Sequence, residues 1–127
     1  MYKNLTITSI LGFLAVILGA FGAHTLRTKI SFDALNSFQT AVRYQIIHVL
    51  VLLFVNGFLG FTEKQKNRVS YFFFAGIFFF SGSIYAITIL EIPAKNIWFI
   101  TPLGGGFLIL GWFLMSLMFI KKSIKKN

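Results

Sequence analysis

The side chains able to do chemistry in this sequence are few, and most are polar groups placed among apolar residues. Tyr44 and His48 are four residues apart and so share one helix face, with Gln45 beside them. Ser81 and Tyr85 repeat that spacing further along the chain. His24, at the end of the first apolar run, and Thr101, near the start of the last one, add one polar group each. Together these residues form a set that we call the polar layer: His24, Tyr44, Gln45, His48, Ser81, Tyr85 and Thr101.

Catalytic chemistry finds little support among these residue types. Hydrolytic metal sites use three protein ligands, and His24 and His48 would need a carboxylate such as Asp33 or Glu91 to complete one. Neither carboxylate lies inside an apolar run, which argues against a proton relay. The glycine triplet at 104–106 lacks the Lys-Ser or Lys-Thr of a phosphate loop. We therefore expect no metal, no cofactor and no enzymatic activity.

The elements that must position the polar layer are membrane helices. Of the 127 residues, 57% are hydrophobic and 12% are charged, and the mean hydropathy of +0.80 is far from that of a water-soluble domain. The basic residues that give the net charge of +9 lie in short clusters between apolar runs. This pattern is typical of residues that orient membrane spans and not of a nucleic-acid-binding surface. Four crossings of roughly 20 residues each would use nearly the whole chain.

Three of the four crossings are continuous apolar runs, and the other is partly disguised by polar residues. The uncharged run at residues 46–61 is slightly short for a span, so its helix must reach back and bring polar side chains into the bilayer. An amphipathic lead-in at about 31–41, capped by Ser31 or Asp33, lies at the interface or extends this span. The predicted spans of this single domain, residues 1–127, are approximately 5–23, 41–61, 69–90 and 97–120.

The distribution of Lys and Arg predicts the orientation of these spans. One side receives three basic residues, Arg27, Lys29 and Lys95, with Arg43 at the boundary. The other side receives eight: Lys3, Lys64, Lys66, Arg68, Lys121, Lys122, Lys125 and Lys126. Cytoplasmic segments carry the excess of basic residues, so the sequence predicts an antiparallel, all-α four-helix bundle with both termini in the cytoplasm. We expect it in the cytoplasmic membrane as a multi-pass protein.

Antiparallel spans convert sequence position into depth, and the polar layer then falls in one half of the bilayer. His48 and Ser83 are each roughly 10 Å from the outer boundary at about 1.5 Å per residue, and Thr101 is at about 6 Å. His24 stands at the boundary itself. Ser81 and Ser83 point in nearly opposite directions, so only one of them can face this layer. Four segments thus contribute polar groups to one depth.

Small residues predict where helices approach each other closely. The first span carries Gly12, Ala15, Gly19, Gly22 and Ala23, which form a flat stripe. Glycines of the last span are expected to supply the matching surface, and these are Gly104, Gly105, Gly106 and Gly111. An alternative is that Pro102 and the glycine triplet break the last helix and expose backbone groups to a ligand, as in discontinuous transporter helices.

The first span also invites comparison with a secretory signal, since Lys3 precedes an apolar run that ends in small residues. The run at residues 5–23 is longer than the usual core of about 7 to 15 residues. Cleavage would leave three spans and put one basic segment on the outer side. We expect the first span to be retained.

Two functions remain open for the polar layer. Histidine, tyrosine and hydroxyl groups commonly join membrane helices by hydrogen bonds, which indicates a structural or accessory protein. Intramembrane ionisable groups also mark functional sites, which indicates a transporter-like bundle or one that binds a small ligand or lipid. A dry, mutually bonded cluster would favour the first reading, and a water-accessible cavity at His48 the second. Expected partners are the lipid bilayer and either a second copy or another membrane protein, with no nucleic acid.

Four sequence blocks, taken together, resemble a known family. They are GAFGAHTL from Gly19, RYQIIH from Arg43, FSGSIY from Phe80 and ITPLGG from Ile100. In this order they are similar to the YwdK/YgdD-like small membrane proteins, a domain of unknown function that is also similar to a small vertebrate transmembrane protein. The resemblance covers nearly the whole chain. It implies a four-helix integral membrane protein, in bacteria of the cytoplasmic membrane, and brings no substrate, cofactor or catalytic residue.

Overall fold

Four long helices account for most of the molecule in the computed structural model, which describes residues 2–126. They are α1 (Tyr2–His24), α2 (Phe32–Gly57), α3 (Glu63–Thr88) and α5 (Ile100–Lys126), and a short α4 (Ala94–Ile97) precedes the last. A 3-10 turn, Leu26–Thr28, follows α1. Each long helix is sufficiently long and apolar to cross a membrane. The predicted all-α fold with four spans is confirmed.

Side-chain contacts establish the antiparallel order of the helices. Asn4 near the start of α1 reaches Asn56 near the end of α2 and Asn67 near the start of α3. At the opposite end, Ser83 late in α3 bonds Thr101 early in α5. The long helices therefore run up and down in sequence, and the start of α1 and the end of α5 lie at the same end of the bundle.

Helix α2 is one continuous helix from Phe32, so the amphipathic lead-in extends the second span. Its start is capped by the Ser31 hydroxyl, which accepts a hydrogen bond of 3.2 Å from the Ala34 amide. The helix ends at Gly57, four residues before the end we expected, because Phe58 adopts an extended conformation. Phe58 and Phe61 then pack their rings against Phe119 of α5, with centroid separations of 5.6 and 5.1 Å. These aromatic contacts hold the segment after α2 against α5, at the place where we expected a last turn of α2.

Helix α3 begins at a complete capping box. The Thr62 hydroxyl accepts from the Gln65 amide, and the Gln65 side chain accepts from the Thr62 amide. This reciprocal pair starts α3 at Glu63, six residues before the apolar run from which we placed the third span. The basic residues of this connection therefore lie on the first turns of a helix.

Helix α5 is unbroken through the glycine triplet, so the alternative of a discontinuous last helix is wrong. Pro102 lies in the first turn, where its missing amide costs no helical hydrogen bond. At Gly104 an added Cβ would collide with the backbone of Phe79 and Phe80. Gly104 therefore serves close helix packing, and the triplet does not interrupt the helix.

The two stripes of small residues face different neighbours, which corrects the expectation that they match each other. An added Cβ at Gly12 would lie 3.3 Å from Val49, and one at Gly19 would lie 3.5 Å from Val42, both on α2. On α5, the Cβ of a side chain at Gly111 would lie 2.8 Å from the Phe73 ring of α3. Helix order explains the difference, since α1 packs along α2 and α5 packs along α3.

The remaining small residues vary in how closely they pack. Gly22 is buried against the Phe38 ring, and Ala15 is 2% exposed. Gly105 has only the edge of the Phe80 ring within reach, at 3.9 Å. Ala23 is exposed, so the structure does not place it in the α1–α2 contact. The close approach of α1 to α2 is therefore made by Gly12, Ala15, Gly19 and Gly22.

The apolar interior has two parts. The larger lies among α2, α3 and α5 and has the fully buried Leu52, Val55, Val69 and Phe73 at its centre. The smaller, around Leu26, Leu35 and Phe38, fills the end where α1 turns into α2. The α2 members of the polar layer, Tyr44, Gln45 and His48, lie on the part of that helix between these two clusters.

Candidate functional site

Gln45 joins three helices through both ends of its side-chain amide. Its Nε2 donates to the Leu11 carbonyl oxygen of α1 at 2.7 Å, and its Oε1 accepts from the Tyr85 hydroxyl of α3 at 2.7 Å. Gln45 is 3% exposed. The Leu11 carbonyl is within reach because Gly12 and Ala15 let α1 approach α2 closely. One buried amide thus fixes the register of α2 against both neighbours.

His48 connects α2 to α5 through a residue that the sequence analysis left out of the layer. Trp112 Nε1 donates to His48 Nε2 at 3.0 Å, and His48 Nδ1 lies 2.7 Å from the Tyr44 carbonyl oxygen. An indole N–H can only donate, so Nε2 must be unprotonated and Nδ1 must carry the proton. The two contacts therefore specify a neutral imidazole with a single tautomer.

Aromatic rings enclose the His48 imidazole. The Phe73 ring centroid is 5.4 Å from that of His48, and the Trp112 ring meets the imidazole edge-on at 6.1 Å. Tyr44 takes part through its carbonyl and its ring, which stacks on Phe80 at a centroid separation of 4.8 Å. The Tyr44 side chain is 41% exposed, so it forms the outer margin of this cluster.

Ser81 and Ser83 of α3 face different neighbours, as the spacing predicts. Ser81 Oγ donates to the Ala41 carbonyl of α2 at 2.7 Å and is 1% exposed. Ser83 Oγ bonds the Thr101 hydroxyl of α5 and also donates to the Phe80 carbonyl. The partner of Thr101 is therefore Ser83, which we did not include in the polar layer, and Ser81 joins α3 to α2 instead.

His24 is the one member that the structure leaves apart from the others. It is the last residue of α1, its side chain is exposed, and none of the hydrogen bonds described above reaches it. The small residues before it, at Gly19 and Gly22, pack against α2, but the helix ends with its histidine outside that contact. Of the seven predicted residues, the structure thus connects six to a neighbouring helix or to one another.

A second polar group, which we did not predict from the sequence, lies at the opposite end of the bundle. Asn4 Nδ2 donates to Asn56 Oδ1 at 3.0 Å and to Asn67 Oδ1 at 2.8 Å. Asn56 Nδ2 donates in turn to Ser70 Oγ at 2.9 Å, and both residues are buried. We call Asn4, Asn56, Asn67 and Ser70 the asparagine cluster. Depth alone would have found it, because Asn4, Asn56 and Asn67 lie near the same ends of successive spans.

The interior offers no unoccupied polar position among residues 2–126. No buried side-chain nitrogen or oxygen in this range lacks a hydrogen-bond partner. Five cavities lie at the two ends of the helices, and none of these five is lined by His48, Gln45 or Tyr85. Within the same residues, no three His, Cys, Asp or Glu side chains are placed to hold a metal ion. The polar layer is a closed hydrogen-bonded assembly.

Comparison with known proteins identifies the family. A family model described as a protein of unknown function, DUF423, matches residues 18–105. The chain belongs to the DUF423 family. This family description specifies no activity, substrate or cofactor. The match begins in the last turns of α1 and extends to the glycine triplet of α5, so it includes the whole polar layer.

Curated relatives confirm the resemblance given by the four sequence blocks. A UPF0382 membrane protein of Staphylococcus aureus is 41% identical over 85% of this chain and 87% of its own length. YwdK of Bacillus subtilis is 40% identical over 85% of this chain and 88% of its own. The inner membrane protein YgdD of Escherichia coli is 34% identical over 87% of this chain and 84% of its own length. No solved structure matches. With its four membrane-spanning helices, this chain is a multi-pass protein of the cytoplasmic membrane in contact with lipid.

Proposed function

We propose that this DUF423 protein is a structural or accessory membrane protein, and that its polar layer is a clasp which fixes the helices in register. The observation that carries the proposal is the Gln45 side chain, whose donor and acceptor are both used on neighbouring helices. Each end of the amide is committed to a neighbouring helix, and the side chain is only 3% exposed, so little of it is accessible to a ligand.

The same reasoning extends to His48. A general base or a metal ligand needs an available imidazole nitrogen. Trp112 and the Tyr44 carbonyl occupy both nitrogens in this bundle. These contacts favour a non-catalytic role over an enzyme or a transporter-like bundle that uses the same residues.

If the interior binds no ligand, an accessory role must depend on contacts made by the outer surface of the bundle. Helix α1 presents Phe13 and Val16, which are 65% and 69% exposed, on the side away from α2. Such a face suits lipid and also suits a membrane-protein partner, including a second copy of this chain. Under this proposal the polar layer keeps that surface in a fixed geometry.

A double-mutant cycle on Gln45 and Tyr85 tests the clasp. Gln45→Leu removes the amide with little change in volume, and Tyr85→Phe removes only the hydroxyl. If the bond joins the helices, each variant lowers the free energy of unfolding in detergent, and the cycle gives a coupling of roughly 0.5–1.5 kcal/mol. Thr6→Val, on the exposed face of α1, is the control for loss of a hydroxyl that bonds only within its own helix.

The ligand-binding alternative predicts a different result from the same variants. Site residues are seldom optimised for stability, so Gln45→Leu and Tyr85→Phe would then leave the unfolding free energy nearly unchanged and abolish a cellular phenotype. A coupling near zero together with loss of phenotype would overturn the clasp.

A further inference from the structure

A cavity of about 300 Å³ lies between α3 and α5 at the end of the bundle that carries both chain ends. Its polar wall includes Lys64 and Arg68, which share a face of α3 at a spacing of four, and Lys121 near the end of α5. All three side chains are exposed and reach the rim of the cavity. Three cations therefore converge on one opening.

No carboxylate neutralises these cations within residues 2–126. The ion pair that the described residues form is between Glu63 and Lys66, at 3.5 Å. The other two acidic residues, Asp33 and Glu91, line a cavity at the opposite end of the helices. The Thr62 and Gln65 side chains, which also line the cavity, are engaged with each other in the capping box. The cavity thus presents an uncompensated positive charge to an incoming anion.

The other wall of the cavity is apolar and continues toward the bilayer interior. Leu114, Leu117 and Met118 lie one and two turns before Lys121 on the same face of α5, and all three are half-buried. The lining therefore changes from cationic to apolar along the helix axis. A free phosphate ion would use only the cationic part, whereas a molecule with an anionic head and an acyl chain would use both.

We propose that this cavity binds the headgroup of an anionic glycerophospholipid, with the phosphate at Lys64, Arg68 and Lys121 and an acyl chain along Leu114, Leu117 and Met118. Arg68 supplies the planar guanidinium fork that pairs with phosphate oxygens, and the lysines add point charges. Basic pockets between membrane helices are suited to this class of lipid. The proposal concerns a site outside the polar layer and does not depend on the accessory role.

The test is a titration of the full chain in an uncharged detergent with a short-chain phosphatidylglycerol, followed by native mass spectrometry and by the melting temperature. We expect binding at least tenfold tighter than that of phosphatidylcholine with the same chains. The triple variant Lys64→Gln, Arg68→Gln, Lys121→Gln should weaken it roughly 100-fold, at about fivefold for each cation removed. A matched control, Lys3→Gln, Lys125→Gln, Lys126→Gln, removes the same charge at the same end but outside the cavity, and should change affinity by less than about threefold.

Three outcomes would overturn the proposal. Equal losses in the two triple variants would mean general attraction to the basic end and no defined site. Equal affinity for phosphatidylcholine would remove the role of the anionic head. Displacement of the lipid by inorganic phosphate at similar concentrations would assign the cations to a free anion. If the triple variant gives no folded protein, the single variants Lys64→Gln and Lys121→Gln decide, with about fivefold losses expected for each.

Discussion

At the scale of single residues, the polar layer and the asparagine cluster solve the same physical problem. A polar side chain in hydrocarbon needs a partner, and in these two groups most of the partners are on another helix. His48 illustrates how specific the result is, because its Trp112 and Tyr44 contacts are compatible with one tautomer only. A side chain held in this way contributes to register as well as to stability.

The two histidines are expected to respond differently to truncation. His48→Ala removes hydrogen bonds to Trp112 and Tyr44, so it should lower the free energy of unfolding by about 1–2 kcal/mol at roughly 1 kcal/mol or less per bond. His24→Ala should have little effect, because that side chain is exposed at the end of α1. Melting temperatures of both variants beside the wild type check this, and an unchanged melt for His48→Ala would count against the clasp.

At the scale of helices, several glycines lie where two helices approach too closely to leave room for a Cβ. α3 and α5 form the most extensive helix pair, and they approach most closely where Gly104 faces the backbone of Phe79 and Phe80. At Gly76 an added Cβ would meet the side chain of Leu108 first. Helices approach this closely only where one of the facing residues has no Cβ.

Two glycines of the same triplet provide a matched comparison. Gly104→Ala places a Cβ against backbone that cannot rotate away, so we expect a loss of about 1–3 kcal/mol of unfolding free energy. Gly106→Ala meets nothing within 4 Å and should be neutral or slightly stabilising because alanine favours the helix. Unfolding titrations in detergent measure both values, and equal losses would contradict the packing role of Gly104.

Two phenylalanine triplets of α3, at residues 72–74 and 78–80, include both interior and lipid-facing positions. Phe73 is fully buried beside His48 and Trp112, whereas Phe78 is 72% exposed. Phe73→Leu should cost about 1–2 kcal/mol through lost aromatic contacts and imperfect packing. Phe78→Leu should be tolerated, because acyl chains accept either side chain. If detergent-extracted Phe78→Leu loses its fold, a protein subunit and not lipid covers this face.

At the scale of the whole molecule, the contacts place both chain ends together, and the charge distribution predicts which side of the membrane they occupy. Eight of the twelve basic residues lie at that end, so we expect it to be cytoplasmic. The same end carries the asparagine cluster and the proposed lipid site. Polar-layer residues then lie in the outer half of the bilayer.

Single introduced cysteines test this orientation, since the chain has no cysteine of its own. Gln65→Cys and Ser123→Cys should be protected from an impermeant thiol reagent in intact cells, and Asn96→Cys should be labelled. Permeabilised cells serve as the control, where all three should react. Labelling of Ser123→Cys with protection of Asn96→Cys would reverse the topology.

The sequence by itself determined the class of the molecule and the depth of its polar groups. Length, hydropathy and the spacing of apolar runs require four membrane helices, because backbone in hydrocarbon must satisfy its own hydrogen bonds. Up-and-down order then brought the regions of Tyr44, His48, Ser81 and Tyr85 to one level. The four quoted blocks also gave the family before any contact was known.

Tertiary structure alone decided which groups pair at that level. Helix rotation and neighbour order select the pairs, and neither follows from the position of a residue along its own helix. The sequence does not predict that Trp112 of α5 meets His48 of α2. It predicts Gly104 as a packing residue, but it does not predict that the facing surface is the backbone of α3. The depth of a side chain in the bilayer follows from its position along its own helix, because each residue adds a fixed rise. Its hydrogen-bond partner depends on how the four helices pack together.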